Sequence, residues 1–344
     1  MADIVCNTRN LWGGLTGVQR YTHEILHRTG DLVDTLAPTK AKSGIPGHFW
    51  EQGTLPFQVG RRLLWSPSNT GPLVVPYQVV TLHDVVPFDV PGTLNRKFML
   101  WYKFLQPKLL NRINGIITVS NFTRERLLLR IPRVEDKISV VHNGVDERFK
   151  PNSLDDINAA VTSLGLPSRS YVLSVGSLEP RKNVRRLLEA WELVVDRLPQ
   201  EIWLILAGGR GVGRVFASVD TGRLPPRVHL TGHVPDELLP GLMSGAIAFV
   251  YPSYYEGFGL PPLEAMACGT ATLTGDRACL PEIVGEGALK VDPFCVEAIA
   301  DGVLRLVEDE DLRATLSKLG QRQAAMYSWS KAASETMLVL QKYL

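Results

Sequence analysis

The chain has 344 residues, of which 45% are hydrophobic and 21% charged; this composition is typical of a globular protein and excludes a disordered one. Its 37 basic and 35 acidic residues leave a net charge of +2, so the total charge does not indicate nucleic-acid binding. The apolar runs are far shorter than the ~20 residues of a transmembrane helix, and the N-terminus lacks the basic and apolar regions of a secretory signal. We therefore expect a cytoplasmic protein.

The two halves of the chain differ in charge. Residues 1–150 contain 19 basic and 12 acidic residues, whereas residues 151–344 contain 18 and 23. Net charges of opposite sign in the two halves suggest two domains with different roles. A basic first half is suited to an anionic acceptor, a diphosphate-linked lipid or the inner membrane surface. Charges scattered over a solvated surface explain the asymmetry equally well.

Strands and helices alternate along the whole chain. In the first half we predict strands at 4–6, 79–82, 115–119 and 138–141, and helices from residue 18 and at 96–112 and 121–130. In the second half we predict strands at 171–175, 202–207, 228–230, 246–251 and 270–274, and helices at 183–198, 236–244, 261–268, 296–307 and 331–343. This alternation predicts an α/β fold with parallel sheets covered on both faces. The expected architecture is two Rossmann-like domains, 1–150 and 151–327, facing each other across a cleft where ligands bind beyond the carboxyl ends of the strands.

Two segments of the first half follow predicted strands. Residues 12–21 read W-G-G-L-T-G-V-Q-R-Y, and the glycines allow the backbone to approach a phosphate or sugar before the next helix, although a plain loop is an equal alternative. His83 ends a predicted strand, so we expect it to point into the cleft rather than to serve a purely structural role. Asp84 either orients that ring or caps the following turn.

The helix predicted at 96–112 mixes aromatic and basic residues. Such a helix can lie on an anionic membrane surface. We favour the alternative, an apolar stripe that packs on the sheet with basic residues outside. Ser120, after the next strand, is expected either to cap a helix or to touch acceptor or sugar.

In the second half, residues 175–183 read V-G-S-L-E-P-R-K-N and lead from a strand into a helix. The helix dipole disfavours two adjacent cations at a helix start. Arg181 and Lys182 therefore predict a role in neutralising a diphosphate, by a guanidinium fork and a point charge. The alternative is a pair of surface charges on an exposed loop.

Residues 251–264 read Y-P-S-Y-Y-E-G-F-G-L-P-P-L-E and carry the most information. A strand, a glycine turn and prolines at the first helical positions leave the N–H groups of Gly259 and Leu260 at the positive end of a helix, where phosphates bind. Glu256 and Glu264 are suited to accept hydrogen bonds from sugar or ribose hydroxyls. An ordinary strand–turn–helix with solvated glutamates is the weaker alternative.

This last segment resembles the E-x7-E motif of retaining glycosyltransferases of the GT-B fold, in glycosyltransferase family four. The resemblance implies that Glu256 contacts the hydroxyls of the transferred sugar and that Glu264 holds the ribose. It also implies that backbone groups of Gly257, Phe258, Gly259 and Leu260 reach the sugar and the diphosphate.

Other segments resemble the same family. Lys182 matches the lysine of its diphosphate loop; many members carry arginine where this chain has Ser177, so Arg181 is the candidate for that charge. The glycine loop is longer here, which makes both Gly14 and Gly17 candidates, and His83 matches a histidine beside the donor sugar. The resemblance further places His142 and Asn143 in an interdomain hinge near the cleft, and folds a C-terminal helix of about 328–344 back onto the first domain.

The resemblance implies a retaining hexosyltransferase, with a front-face displacement assisted by the leaving phosphate. The amino-acid sequences of its loops are most similar to those of family members that use GDP-mannose. This similarity predicts mannosyl transfer in polysaccharide or lipid-linked glycan synthesis. The donor would bind the second domain and the acceptor the first, with no cofactor and no metal ion. Peripheral contact with the inner membrane face is a further expectation.

Three alternatives remain open from the sequence. They are a nucleotide-sugar epimerase of the same fold that uses a UDP-sugar, a non-catalytic sugar-nucleotide sensor, and a Rossmann oxidoreductase. The oxidoreductase requires a G-x-G-x-x-G after the first strand, and the glycines of this chain have the wrong spacing. A non-catalytic sensor would tolerate the loss of His83 and Glu256. The presence of both residues therefore favours an enzyme over a sensor.

Overall fold

The computed structural model describes residues 2–12, 17–40, 44–177, 179–209 and 224–344 and divides into two compact units. The first comprises Met1–Pro91, Arg96–Gly144 and Tyr327–Leu344; the second comprises Gly92–Asn95 and Val145–Met326. The chain thus changes unit at Gly144 and not at residue 150, because Val145 and Phe149 pack in the core of the second unit.

The first unit contains a six-stranded parallel sheet with strand order β2-β1-β3-β4-β5-β6. Its strands are β1 (Ile4–Asn7), β2 (Val33–Leu36), β3 (Leu63–Ser66), β4 (Gln78–Leu82), β5 (Gly115–Thr118) and β6 (Ile138–Val140). The helices between them are α1 (Gly17–Thr29), α2 (Ile45–Phe49), α3 (Leu55–Val59), α4 (Val86–Asp89), α5 (Arg96–Arg112) and α6 (Asn121–Leu128). A π-helical turn, Trp50–Thr54, joins α2 to α3.

The second unit contains another six-stranded parallel sheet, with strand order β12-β11-β10-β7-β8-β9. Its strands are β7 (Ser170–Val175), β8 (Ile202–Ala207), β9 (Val228–Gly232), β10 (Ala248–Tyr251), β11 (Thr272–Gly275) and β12 (Ala288–Val291). Its helices are α7 (Leu154–Ser163), α8 (Val184–Val194), α9 (Leu239–Ser244), α10 (Leu260–Ala267), α11 (Leu280–Val284), α12 (Val296–Glu308) and α13 (Glu310–Ala324).

Alternating strand residues build a core on each face of this second sheet. Val172 and Val250 pack with Trp191 of α8, whereas their neighbours Leu173 and Phe249 pack in a separate cluster on the other face. Successive side chains of a strand point to opposite faces, so the near-continuous apolar runs of these strands fit a sheet covered on both sides.

The last helix, α14 (Trp329–Gln341), belongs to the first unit. Trp329 is buried and lies edge-on to Tyr21 of α1, with ring centroids 6.2 Å apart. A Cβ atom on Gly144 would clash with the backbone nitrogen of Trp329, so only glycine fits there. The end of the first sheet and the start of α14 are therefore closely packed.

The predicted fold class, two Rossmann-like α/β units with parallel sheets, is confirmed, and each predicted strand corresponds to a strand of the structure. The sequence analysis missed β2, β3 and β12. Two of these, β2 and β12, are edge strands, and β3 reads L-L-W-S, without the β-branched residues that distinguish strands from helices. In the described part of the chain, no helix has the length and apolarity needed to cross a membrane.

Candidate active site

The strongest candidate residues lie on two loops of the second unit. Arg181 and Lys182 form the end of a short 3-10 turn, Pro180–Lys182, after β7, and Glu256 lies in the loop after β10. The strands β7 and β10 are neighbours in a parallel sheet, so their carboxyl ends bring the two loops together at the edge where such sheets bind ligands.

Glu256 is buried and is the centre of a polar cluster. Arg181 Nη1 donates to its Oε2 at 2.6 Å, and Lys182 Nζ donates to its Oε1 at 2.7 Å. The hydroxyls of Tyr251 and Ser253 donate to the same Oε1 at 2.9 and 2.8 Å. The carboxylate is therefore ionised and fixed in orientation. The alternative prediction, that Arg181 and Lys182 are surface charges on an exposed loop, is wrong because both side chains are largely buried.

The carboxylate of Glu179 also belongs to this cluster, which therefore contains two negative and two positive side chains. Arg181 Nε donates to Glu179 Oε2 at 2.9 Å, and the hydroxyl of Ser177 donates to the other oxygen of Glu179. Lys182 also contacts the hydroxyl of Tyr251. Two cations and two carboxylates are thus held together with little exposure to solvent, which increases the strength of each interaction.

These contacts shift the pKa values of the cluster. Burial alone would raise the pKa of Glu256, but Arg181 and Lys182 lower it to about 2. Burial and the charge of Arg181 lower the pKa of Lys182, and Glu256 partly opposes that effect. Titratable groups with such strong perturbation and a specific partner cluster at functional sites.

Asn183 connects the loops of this site. It adopts a left-handed conformation, with φ 62°, at the start of α8. Its Nδ2 donates to the carbonyl oxygens of Pro252 at 3.0 Å and Pro293 at 2.5 Å. A buried side chain therefore fixes the loop of Arg181 and Lys182 against the loop that carries Glu256.

The segment that follows Glu256 leads into α10. Gly257 and Phe258 are buried, and Gly259 is the N-cap in a left-handed conformation, with φ 95° and no side-chain cap. Leu260 is the first residue of α10, and Glu264 is buried one turn later. The predicted helix start is confirmed; the contacts of these residues with nucleotide or sugar stay predictions.

A small pocket adjoins Lys182 within the second unit. Its lining includes Gly176, Ser177 and Tyr251 together with the ends of β7 and β8. A Cβ atom on Gly208 would clash with the carbonyl oxygen of Gly176, so glycine is required there for the two strand ends to approach. The pocket thus lies beside the cationic side chain of Lys182, at the carboxyl edge of the sheet.

In the first unit, His83 follows β4 and is buried. Its Nε2 lies 2.7 Å from the carbonyl oxygen of Pro67; a carbonyl can only accept, so Nε2 carries the proton and Nδ1 is the acceptor. Asn69 Oδ1 accepts from the His83 backbone at 2.7 Å. Asp84 Oδ1 accepts from the backbone N–H of Val86 at 3.1 Å. Of the two predicted roles of Asp84, this contact corresponds to capping of the following turn.

Burial lowers the pKa of His83 to about 4, against the opposing effect of the Pro67 carbonyl. We expect NMR of ¹⁵N-labelled histidine to show a neutral His83 with a protonated Nε2 down to about pH 4, assigned by loss of its signal in His83→Asn. Because the folded pKa lies below the unfolded value, the imidazole lowers the free energy of unfolding progressively as pH falls from 6.5 to 4. A midpoint near 6.5 in the folded protein would contradict this assignment.

The structure also locates the weaker candidates. Gly14 lies outside the described residues, and Gly17 is the first residue of α1. Ser120 caps α6 by accepting from the Thr123 backbone at 3.1 Å, as one alternative predicted. Asn143 is buried, and His142 lies edge-on to Tyr327 with centroids 5.6 Å apart.

Helix α5 has two apolar sides. Tyr102, Leu105, Leu109 and Leu110 are buried, as the packing interpretation predicted, whereas Leu100 and Phe104 are exposed. Lys108 Nζ lies 3.6 Å from the centroid of the Phe104 ring. Contact of this helix with a membrane surface stays a prediction.

Sequence reasoning missed a polar cluster in the first unit. Arg9 and Glu51 form an ion pair at 3.4 Å, and His48 Nδ1 lies 3.4 Å from the other oxygen of Glu51. Arg9 follows β1, so the rule that functional side chains lie at strand ends would have found it. No motif or regular spacing in the sequence identifies His48 and Glu51 as partners of Arg9. They lie in α2 and in the π-helical turn.

Two family models match the chain. The model for glycosyl transferases group 1 matches residues 158–323, and the model for glycosyltransferase family 4 matches residues 52–149. The O-antigen chain mannosyltransferase B of Escherichia coli is 33% identical over 261 residues, which are 75% of this chain and 68% of that protein. The serotype-specific mannosyltransferase WbdA of E. coli is 29% identical over 272 residues; the match covers 75% of this chain and only 33% of WbdA.

Solved structures match in fold. The crystal structure of Anabaena Alr3699/HepE in complex with UDP-glucose has a TM-score of 0.78 and 19% sequence identity, with 98% of this chain and 99% of that chain covered. At this level of identity the likeness concerns the fold, which is the GT-B fold of glycosyltransferases.

Proposed function

Because the chain belongs to glycosyltransferase family 4, with a glycosyl transferases group 1 domain, we propose that it transfers mannose from GDP-mannose to an acceptor hydroxyl during polysaccharide or lipid-linked glycan synthesis. The family resemblance recognised in the sequence is confirmed. Mannose is supported by the relatives in E. coli that are named mannosyltransferases, since the glycosyltransferase family alone does not specify the sugar.

The contact between Arg181, Lys182 and Glu256 carries the proposal. Two cations stabilise the charge that develops on a leaving diphosphate, which is usually the largest catalytic contribution in such a site. The fixed carboxylate accepts hydrogen bonds from hydroxyls of the transferred sugar. Glu264 would hold the ribose, and the backbone from Gly257 to Leu260 would reach the sugar and the phosphates at the start of α10.

We propose that the reaction retains the anomeric configuration and needs no metal ion. The bond from the anomeric carbon to the leaving diphosphate oxygen breaks, and the acceptor oxygen forms its bond on the same face. The acceptor proton passes to the leaving phosphate oxygen. Arg181 and Lys182 supply positive charge at that phosphate, which is the role a divalent cation has in other transferases.

The donor and the acceptor would bind to different units. The second unit would hold the donor at the ends of β7 and β10, and the first unit would hold the acceptor. His83 is neutral with the proton on Nε2, so its Nδ1 would accept a hydrogen bond from a sugar hydroxyl. Contact with the inner membrane face through α5 would bring the enzyme to a lipid-linked acceptor.

A donor panel tests the proposal. We expect the purified protein to consume GDP-mannose, with release of GDP, at least tenfold faster than UDP-glucose, UDP-N-acetylglucosamine or ADP-glucose, as followed by chromatography. A mannan oligosaccharide should increase the rate, and NMR of the new linkage should show an α configuration. Preferred use of a UDP-sugar with release of UDP in the absence of any acceptor would instead indicate the epimerase alternative.

A further inference from the structure

Asn69 contacts the end of β4, the strand that His83 follows. It lies in the loop of residues 67–77 between β3 and β4. Its backbone N–H donates to the carbonyl oxygen of Thr81 at 3.0 Å, and its side-chain Oδ1 accepts from the backbone N–H of His83 at 2.7 Å. Asn69 therefore binds the residues on both sides of Leu82, the last residue of β4.

These two hydrogen bonds continue the parallel ladder between β3 and β4 beyond its last pair, Ser66 and Val80. In such a ladder a residue donates to the residue before its partner and accepts, through its own carbonyl, from the residue after it. Here the partner is Leu82, and the side-chain oxygen of Asn69 replaces the carbonyl. The backbone of His83 is thus fixed as if the strand continued.

The backbone conformation of Asn69 explains why its side chain has this role. Its φ is 65°, which lies in the left-handed region that few residues other than glycine, asparagine and aspartate adopt readily. Its carbonyl oxygen accepts from Nε2 of Gln106, in α5, at 3.2 Å. Asparagine therefore combines a left-handed backbone with an acceptor for the N–H of His83, and glycine provides only the first of these.

Buried glutamine side chains hold the loop of residues 67–77 in place. Besides the contact from α5, Gln78 Nε2 donates to the carbonyl oxygen of Pro72 at 2.7 Å, and Gln52 Nε2 donates to that of Gly71 at 2.9 Å. A Cβ atom on Gly71 would clash with the side-chain oxygen of Gln78, so only glycine allows this packing. The loop is therefore a fixed support for the residues that it contacts.

The same loop orients the imidazole ring of His83. The carbonyl oxygen of Pro67 accepts from Nε2 at 2.7 Å, and the ring of Tyr21 packs edge-on against the imidazole, with centroids 4.8 Å apart. Among the residues that the structure describes, none is hydrogen-bonded to Nδ1. A neutral imidazole with a proton on Nε2 has its acceptor at Nδ1, so this atom is available to a hydroxyl.

We propose that Asn69 is a positioning residue for His83, which fixes the imidazole so that Nε2 donates to Pro67 and Nδ1 accepts from a hydroxyl of the substrate. This inference rests on the proposed function, in which His83 contacts a sugar hydroxyl. Asn69 acts through the backbone of His83 and does not touch the substrate. Without its acceptor the residues after β4 would shift, the contact with Pro67 would weaken, and both neutral tautomers would form. A misplacement of about 1 Å can cost about 10²-fold in rate.

The test compares Asn69→Gly, which keeps the left-handed backbone and lacks the acceptor, with Asn69→Asp, which keeps both. We expect Asn69→Gly to lower kcat with GDP-mannose and a mannan oligosaccharide at least tenfold, with the Kd for GDP within twofold of wild type. NMR of ¹⁵N-labelled histidine should show that part of His83 in this variant is protonated on Nδ1. Asn69→Asp should restore kcat to within threefold of wild type, with His83 protonated on Nε2 alone.

Asn111→Gly is the matched control, because Asn111 is exposed at the end of α5 in the same unit and its Nδ2 donates to the carbonyl oxygen of Pro107 at 2.7 Å. Its kcat, Kd for GDP and histidine spectrum should equal those of the wild type. Equal losses of kcat in this control and in Asn69→Gly would overturn the proposal, since any loss of an asparagine side chain would then have the same effect.

The other outcomes separate the positioning role from the proposed function. A wild-type kcat in Asn69→Gly, or a His83 that is still protonated on Nε2 alone, would overturn the positioning role. Where Asn69→Gly does not fold, a kcat of Asn69→Asp more than tenfold below wild type would overturn it as well. The NMR comparison requires no turnover, so it decides whether Asn69 orients His83 even if the wild type consumes no GDP-mannose and binds no nucleotide, which would overturn the proposed function itself.

Discussion

Replacing Glu256 with glutamine should reduce turnover by about 10²–10³-fold while the Kd for GDP stays unchanged or decreases. Glutamine keeps the size of the side chain but removes the charge that fixes Arg181 and Lys182, and its amide cannot accept hydrogen bonds at both ends. GDP binding persists because both cations remain and a diphosphate can take the place of the lost carboxylate charge. Single-turnover kinetics with GDP-mannose and calorimetry of GDP would measure the two effects.

The same variant should lose stability in the absence of ligand. Removal of one partner from a buried ion pair typically costs about 3–5 kcal/mol, because it leaves uncompensated charge. GDP should therefore raise the melting temperature of Glu256→Gln more than that of the wild type. Glu286→Gln is the matched control, since Glu286 is exposed and pairs with Lys290 at 2.8 Å in the same unit. If turnover of Glu256→Gln were within threefold of the wild-type value, a role for Glu256 in the reaction would be excluded.

Replacing Lys182 with alanine should weaken GDP binding by roughly 10–100-fold, since a hydrogen bond to a charged group contributes about 1.5–3 kcal/mol. Binding of guanosine, which has no phosphate, should change by less than twofold. The amine is held by Glu256 beside the pocket at the end of β7, and we propose that it contacts the diphosphate there. Calorimetric titration of both ligands measures the difference.

Lys290→Ala is the control for the lysine, because Lys290 is also in the second unit but pairs with an exposed glutamate. Its Kd for GDP should equal that of the wild type. Equal losses of GDP and guanosine affinity in Lys182→Ala would contradict a diphosphate contact and indicate a general disturbance of the pocket.

The residues of the proposed donor site were predictable because they follow recognisable strands. Arg181, Lys182 and Glu256 each lie in a loop just after an apolar strand, and parallel strands place such loops at one edge of the sheet. The direct contact of Glu256 with both cations was not predictable. Which side chains pair depends on the order of strands β10 and β7, which are separated in sequence and adjacent in the sheet.

The polar cluster of Arg9, His48 and Glu51 could not be predicted for a similar reason. Its charges come from the end of β1 and from a π-helical turn, and neither periodicity nor a motif connects Arg9 to Glu51. Thr70, which follows β3, donates to Glu51 Oε1 at 3.2 Å, but β3 was itself missed because its leucines are compatible with a helix. Buried polar pairs of this kind are fixed by tertiary packing, so only the structure brings them together.

Calorimetric titration with GDP, UDP, ADP and dTDP, each with and without EDTA, tests the central claim most directly. We predict that GDP binds most tightly, and that EDTA leaves its Kd unchanged because Arg181 and Lys182 provide the positive charge at the diphosphate. Absence of binding for all four nucleotides would contradict the donor site. Tight binding of another nucleotide would exclude GDP-mannose as donor, and binding that EDTA abolishes would show that the site needs a metal ion.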